Sequence, residues 1–260
     1  MVGLGIVLIL LLTALVGPAF TRYDPHHAAL SEALRPPGDG YLLGTDELGR
    51  DLLTRIVYGS RLALGVAVMV LAIAVTTGVI VGSLAGFLGG WVDEVMMRIT
   101  DMFLAFPPLI LALAVAAALG PSLVNAMIAM AIVWWPWYAR VVRGQVMAVK
   151  NEDYVAAARS LGAGELVVLV RHVLPNCLLP IIVQCTLDLG TTMLTAASLG
   201  FVGLGAQPPQ PDWGLMVATG RQYMLSYWWV PTFPGAAIFF AVMGFNLFGD
   251  ALRDVLDVQS

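Results

Sequence analysis

LALGVAVMVLAIAVTTGVIVGSLAGFL, residues 62–88, contains no charged side chain. At about 1.5 Å of rise per residue, about twenty apolar residues in a helix cross a bilayer core roughly 30 Å thick. This run is therefore long enough to span a membrane. Comparable apolar runs lie at 1–20, 102–120, 122–142, 174–203 and 232–250. Hydrophobic residues make up 59% of the chain and charged ones 12%, against about 25% charged in soluble domains. The mean hydropathy is +0.86. A transmembrane barrel needs short alternating strands, and these runs are too long and too uniformly apolar. The reading is an all-α polytopic membrane protein with six transmembrane helices.

Other sequence features narrow the chemistry. A net charge of −4 leaves no basic footprint for nucleic acid. Cys177 and Cys185 fall in one apolar run with no histidine at metal-ligand spacing, so they read as small buried hydrophobes. The opening run lacks a basic leader and reads as a retained first helix, not a signal peptide. In the 62–88 run and just beyond it, Gly65, Gly78, Gly82, Gly86, Gly89 and Gly90 suit close helix–helix approach, where small residues let backbones meet. Gly120-Pro121-Ser122 marks a tight turn between the third and fourth runs.

Segments 21–61 and 204–231 are polar and would share one side of the membrane. The second is dense in Pro and Gly and reads as an ordered loop, with Trp213, Trp228 and Trp229 at the interface level. Counting Lys and Arg on the two sides gives seven against six, which orients nothing. Arg140, Arg143 and Lys150 nevertheless cluster directly after the fourth run, where the positive-inside bias acts. That places both termini and the 150–175 segment in the cytoplasm.

The 150–175 segment is a polar interruption written in small residues. Asn151 is a plausible N-cap, and Glu152 and Asp153 supply negative charge where the helix dipole favours it. A helix through Tyr154, Ala157, Ala158 and Leu161 would stop at Gly162 or Gly164. Such a rod, about 15 Å long, is too short to cross a membrane or to be stable alone in water. It must pack on a partner or on the chain's own surface.

Glu152-Asp-Tyr-Val-Ala-Ala-Ala-Arg-Ser-Leu-Gly162-Ala163, followed by Arg171-His172-Val-Leu-Pro175, resembles the EAA motif of ABC importer permeases. The resemblance implies that this is the coupling helix, docked on an ATPase subunit through Tyr154, Ala157, Ala158, Leu161, Gly162, Ala163, His172 and Pro175. The motif's glutamate falls on Ala156 here, so a salt bridge from that position is lost. Leu43-Gly44-Thr45-Asp46-Glu-Leu-Gly49-Arg50-Asp51, Gly203-Leu-Gly205-Ala-Gln207-Pro208-Pro209 with Trp213-Gly214, and Phe245-Asn246-Leu-Phe-Gly249-Asp250 resemble the second permease subunit of the dipeptide/oligopeptide/nickel family. The match implies a type I importer fold of the MetI-like kind, with a first transmembrane helix over 1–20 and an outer segment over 21–61. A permease core over 62–260 would hold five further helices and the coupling loop. Asp46, Arg50, Asp51, Gln207 and Trp213 would belong to the outer motif. The implied partners are a second permease, two ATP-binding-cassette ATPases that hold ATP and magnesium, and an extracytoplasmic solute-binding protein. Peptides are the first-choice solute, with nickel and glutathione as alternatives.

The residues agree with a chain that is not itself the motor. A phosphate-cradling loop ends in Gly-Lys-Ser/Thr, and Lys150, the single lysine, is flanked by Val149 and Asn151. No catalytic cluster is visible, so the chain reads as a non-enzyme with no cofactor or metal of its own. His26 and His27, beside Asp24 and Pro25, read as solvated. Asp188, with Gln184 and Thr191 nearby, sits in the fifth run, where a carboxylate costs about 2.5–3.5 kcal/mol on insertion scales. It either lines the solute path or tightens helix packing. A self-sufficient secondary transporter is the rival class, but the internal repeat common in those proteins is not evident.

Overall fold

A computed structural model describes residues 1–38 and 40–257. The regular structure of the described residues is helical; segments 21–51 and 202–212 are mostly turns, bends and irregular chain, with two isolated bridges, Gly38 with Tyr41 and Thr45 with Asp51. They divide into two compact units. The first comprises Met1–Met69, Leu113–Met130 and Thr186–Ser260, and the second Val70–Ala112 and Ala131–Cys185.

In the first unit, α1 (Val2–Leu15) is about 21 Å long, shorter than the membrane core. A 3₁₀ turn over Gly17–Phe20 ends the run after Pro18. α1 crosses α10 (Trp229–Asp257) closely: a Cβ on Gly3 would run into the backbone at Leu247 and Phe248, and one on Gly244 into Ile6. α2 (Leu52–Leu88) starts ten residues before the expected apolar run at 62–88. Asp51 explains the early start, because its carboxylate accepts from Thr54 N at 2.8 Å and Thr54 Oγ1 at 2.6 Å. That satisfies a donor left open at a helix start. α9 (Trp213–Gly220) lies within the segment expected to be loop. Trp213 and Trp229 are not an interfacial belt but buried core, joined there by Leu52, Met216, Val230 and Phe245. Their indole N–H groups donate to Ile56 O (3.0 Å) and Thr45 O (3.4 Å), which is what lets such rings be buried. Only Trp228 of the three is exposed.

In the second unit, α3 (Gly90–Leu104) follows α2 through Gly89 and Gly90, both at positive φ. The sequence reading placed one span over 102–120. The structure instead breaks there, and α4 (Pro108–Leu119) begins after a bend of 88°. Pro107 and Pro108 account for the break, since a residue before proline is driven out of the helical region. α5 (Leu123–Val149) runs well past 142. Glycines 78, 82 and 86 face it: added Cβ atoms would collide with Tyr138, Ala139, Val142 and Arg143. Their expected packing role holds, whereas Gly65 faces open space and Gly89 and Gly90 make the turn. Tyr138, Val142 and Val146 are fully buried along this seam. α6 (Asp153–Ser160), α7 (Glu165–Val167), a π-helical turn (Val168–Val173) and the start of α8 (Leu174–Phe201) complete the unit.

Three helical stretches among the described residues are long and apolar enough to cross a membrane: Leu52–Leu88, Glu165–Phe201 and Trp229–Leu256. The bent α3–α4 pair makes a fourth if it counts as one span. α1 is too short, and α5 is diluted by Trp134, Trp135, Pro136, Trp137, Arg140 and Arg143.

Candidate functional site

The 150–175 segment is assembled from the end of α5 onward. Lys150 continues the helix's last turn, with its N–H on Val146 O at 2.9 Å. Its Nζ donates to Gly86 O at 2.6 Å, one of the last-turn carbonyls of α2 that lack a partner within the helix. α6 starts one residue later than the expected cap: Glu152 holds the N-cap position without a side-chain bond. Asn151 instead donates to Met147 O, so the entry is stabilised by acidic charge from Asp153. The exit is a Schellman closure. Gly162, at φ +85, donates to Arg159 O (2.9 Å), and Ala163 donates to Ala158 O (3.1 Å).

The eight-residue α6 is about 12 Å long, and Val155 is its one fully buried residue. Its phenol group, Tyr154 Oη, donates to His172 O at 3.3 Å, joining the two ends of the motif. Arg159 lies 5.5 Å from the Phe87 ring and 3.3 Å from Glu165 Oε2. The opposite side is open: Leu161 is 89% exposed and Leu166 73%. Ala157, Gly162 and Pro175 are also exposed, while Ala158, Ala163 and His172 are half-buried. An apolar surface with small residues at its centre is what a soluble partner can cover. Below it, Arg143 forms a bidentate pair with Asp93 at 2.5 and 2.6 Å, and Arg140 meets Asp101 at 2.5 Å.

The Leu43–Asp51 motif closes into a charged knot in the first unit. Asp46, 3% exposed, accepts from Leu48 N and Arg50 N at 2.9 Å and from Arg50 Nε at 2.7 Å. Arg55, which the sequence reading did not single out, places Nε 3.5 Å from the same carboxylate. Its Nη1 donates to Pro25 O (2.8 Å) and Pro209 O (3.3 Å). Arg55 thus joins the 21–61 segment to the Pro208-Pro209 loop. Its signal in the sequence is slight, an arginine on the first turn of a helix. Burial, followed by the charge of Asp46, raises the carboxyl of Glu47 above its ordinary range. Gln207 folds back onto Gly203 O and Gly205 O.

A transport-system family matches this architecture. Residues 78–258 match the family described as "Binding-protein-dependent transport system inner membrane component". The chain belongs to that family. It is 48% identical, over 98% of its length and 86% of the relative's, to "Probable D,D-dipeptide transport system permease protein DdpC" of Escherichia coli (strain K12). It is 46% identical, over the same shares, to "Di/tripeptide transport system permease protein DppC" of Pseudomonas aeruginosa (strain UCBPP-PA14). A chain of the MetNI methionine ABC transporter in an inward-facing conformation has a similar fold. Its TM-score is 0.61 at 20% identity, over 77% of this chain and 96% of that one.

Other polar residues of this permease lie on α8 and in the loop that leads into α9. Asp188 on α8 is buried, Gln184 is half-buried and Thr191 is exposed; their i, i+4 and i+7 spacing sets the three along one side of the helix. Asp212 caps α9 by accepting from Leu215 N at 2.8 Å and borders a cavity of about 20 Å³ with Trp213, Gly214 and Ala206. Desolvation raises the Asp212 carboxyl above the usual range, against the lowering effect of hydrogen bonds from Leu215 and Gly214. His26 Nδ1 lies 3.3 Å from Pro209 O, on the loop knot and exposed. Among the described residues, no three His, Cys, Asp or Glu side chains converge as metal ligands would.

Proposed function

We propose that the chain is one of two permease subunits of an ABC importer that carries di- or oligopeptides. In this reading the chain crosses the membrane six times, α1 reaching across together with the 3₁₀ turn that carries the first run to Phe20 and α5 crossing despite its polar residues. The first helix over 1–20 precedes the outer segment 21–61 and the permease core 62–260. Both termini and the 150–175 loop face the cytoplasm. A solute-binding protein docks on the outer segment and the 204–231 loop, which the Asp46–Arg50–Arg55 knot makes rigid. Solute passes along a path between the two permeases, with Asp188, Gln184 and Thr191 as candidates to line it. Two ATPase subunits hold the ATP and magnesium, and one of them grips α6.

The observation that carries this reading is the open face of α6, with Tyr154 44% and Leu161 89% exposed beside a Schellman stop. That helix is too short to stand alone in water and is fastened to its own chain on one side only. Peptide as solute is supported by the names of the relatives, at identities above 45%. Leu161→Cys, placed in the complete importer, tests the docking. A thiol-directed photocrosslinker at this position is expected to capture the ATPase subunit. Capture of this chain alone, in complexes that hydrolyse ATP, overturns the reading.

A further inference from the structure

We infer that Arg159 and Phe87 are positioning residues for energy coupling, fastening α6 to the C-terminal end of α2 so that displacement of α6 is delivered there first. This rests on the proposed docking of an ATPase on α6. Two independent contacts converge on neighbouring residues. Lys150, ahead of α6, donates to Gly86 O at 2.6 Å. Arg159, in the last turn of α6, lies 5.5 Å from the Phe87 ring.

The end of a helix carries partial negative charge on its unpaired carbonyls, and cations are favoured there. A guanidinium over an aromatic face is attracted by the ring quadrupole. Both ends of the docking segment are thus held by cations to one helix terminus. Glu165, 3.3 Å from Arg159 Nη2, holds the guanidinium from its other neighbour in the chain. α2 stops one residue beyond Phe87, and Gly89 and Gly90 at φ +67 and +54 turn the chain there into α3, so the α2 terminus ends where these contacts meet. Upstream, Gly78, Gly82 and Gly86 lie against α5 with no room for a Cβ. A push at Phe87 is therefore passed along a tightly packed seam.

The test uses the full importer with Cys177→Ala and Cys185→Ala and a nitroxide on Leu88→Cys, a site 60% exposed. In this parent, trapping with ATP and vanadate is expected to change the label's spectrum. Phe87→Leu, which keeps apolar bulk but removes the ring, is expected to cut the responding fraction about two- to fivefold, the range for a lost exposed cation–π contact. Arg159→Met should do the same, and Phe87→Trp should retain the response. An undiminished response in Phe87→Leu or in Arg159→Met, or equal loss in the Leu and Trp variants, overturns the inference. So does a silent label in a parent that still hydrolyses ATP. Failure of the parent to retain its ATPase subunits instead defeats the docking reading itself.

Discussion

The indole N–H of Trp213 donates to the carbonyl of Ile56 at 3.0 Å, tying the head of α9 to the first turns of α2. Gly59, one turn further along α2, leaves the space that the ring fills: a Cβ there would overlap the Trp213 indole and approach Pro211 O at 2.7 Å. Trp213→Phe keeps an aromatic ring but drops the donor, and a lost hydrogen bond costs about 0.5–1.5 kcal/mol. Gly59→Ala overpacks the contact and should cost about 1–3 kcal/mol. Because the two residues touch, the smaller Phe ring should relieve part of the Gly59→Ala penalty, so the double variant is less destabilised than the sum of the singles. Thermal unfolding of the detergent-solubilised complex measures all three. Strict additivity would mean that the indole does not occupy the space beside Gly59.

Asp212 makes stability pH-dependent. Its carboxyl is raised above 3.8 by burial, so the folded chain holds the proton more tightly than the unfolded one. Where the folded state binds more protons, stability falls as pH rises. The contribution is therefore largest below the ordinary carboxylate range and is lost as pH climbs through the raised value. Asp212→Asn keeps an N-cap acceptor for Leu215 and removes the desolvated charge, so it should match or exceed the wild-type midpoint at neutral pH and flatten this dependence. Asp212→Ala loses the cap and should cost about 0.5–2 kcal/mol. A less stable Asn variant at pH 7 would show that the charge is compensated.

How much of this was legible in the sequence varies with how local the cause is. The end of the 62–88 run and the stop of the small-residue helix at Gly162 rest on local composition, and both ends are found there, whereas the starts differ: α2 begins at Leu52 and α6 after Glu152 instead of Asn151. The break between α3 and α4 was missed because apolar content over 102–120 outweighed Phe106-Pro107-Pro108, although the two prolines are a local signal. Arg55 and the burial of Trp213 and Trp229 could not be read, because their partners are Asp46, Pro209, Ile56 and Thr45, distant in the chain or visible only once it has folded. Asp51 lies between: an acidic residue directly before a hydrophobic helix is a cap signal, and the start of α2 could have been set from it.

Gly162 separates backbone strain from partner contact. At φ +85 any side chain is strained, by about 1–2 kcal/mol, yet nothing of the chain lies within 4 Å of an added Cβ. Gly162→Ala and Gly162→Trp therefore share the strain, and only the tryptophan projects into space that a docked subunit would fill. Overpacking a close contact costs about 1–3 kcal/mol, so Gly162→Trp should lower ATP-driven uptake roughly five- to 150-fold below Gly162→Ala while ATP hydrolysis continues. Equal uptake in the two variants would place the docked surface elsewhere.

Asp188 is 6% exposed in the middle of α8, where a carboxylate costs about 2.5–3.5 kcal/mol to insert. Asparagine has the same shape and can still accept a hydrogen bond, so Asp188→Asn should fold and assemble at least as well as the parent. Packing alone would then leave transport unchanged. If the carboxylate lines the solute path, its charge favours cationic solutes, and losing it should reduce uptake of lysyl-lysine more than uptake of alanyl-alanine. Inverted vesicles of matched ATPase activity, loaded with the binding protein and one dipeptide at a time, give the comparison directly. A selective fall for the dication assigns Asp188 to the path, whereas equal uptake of both dipeptides in parent and variant makes it a packing residue.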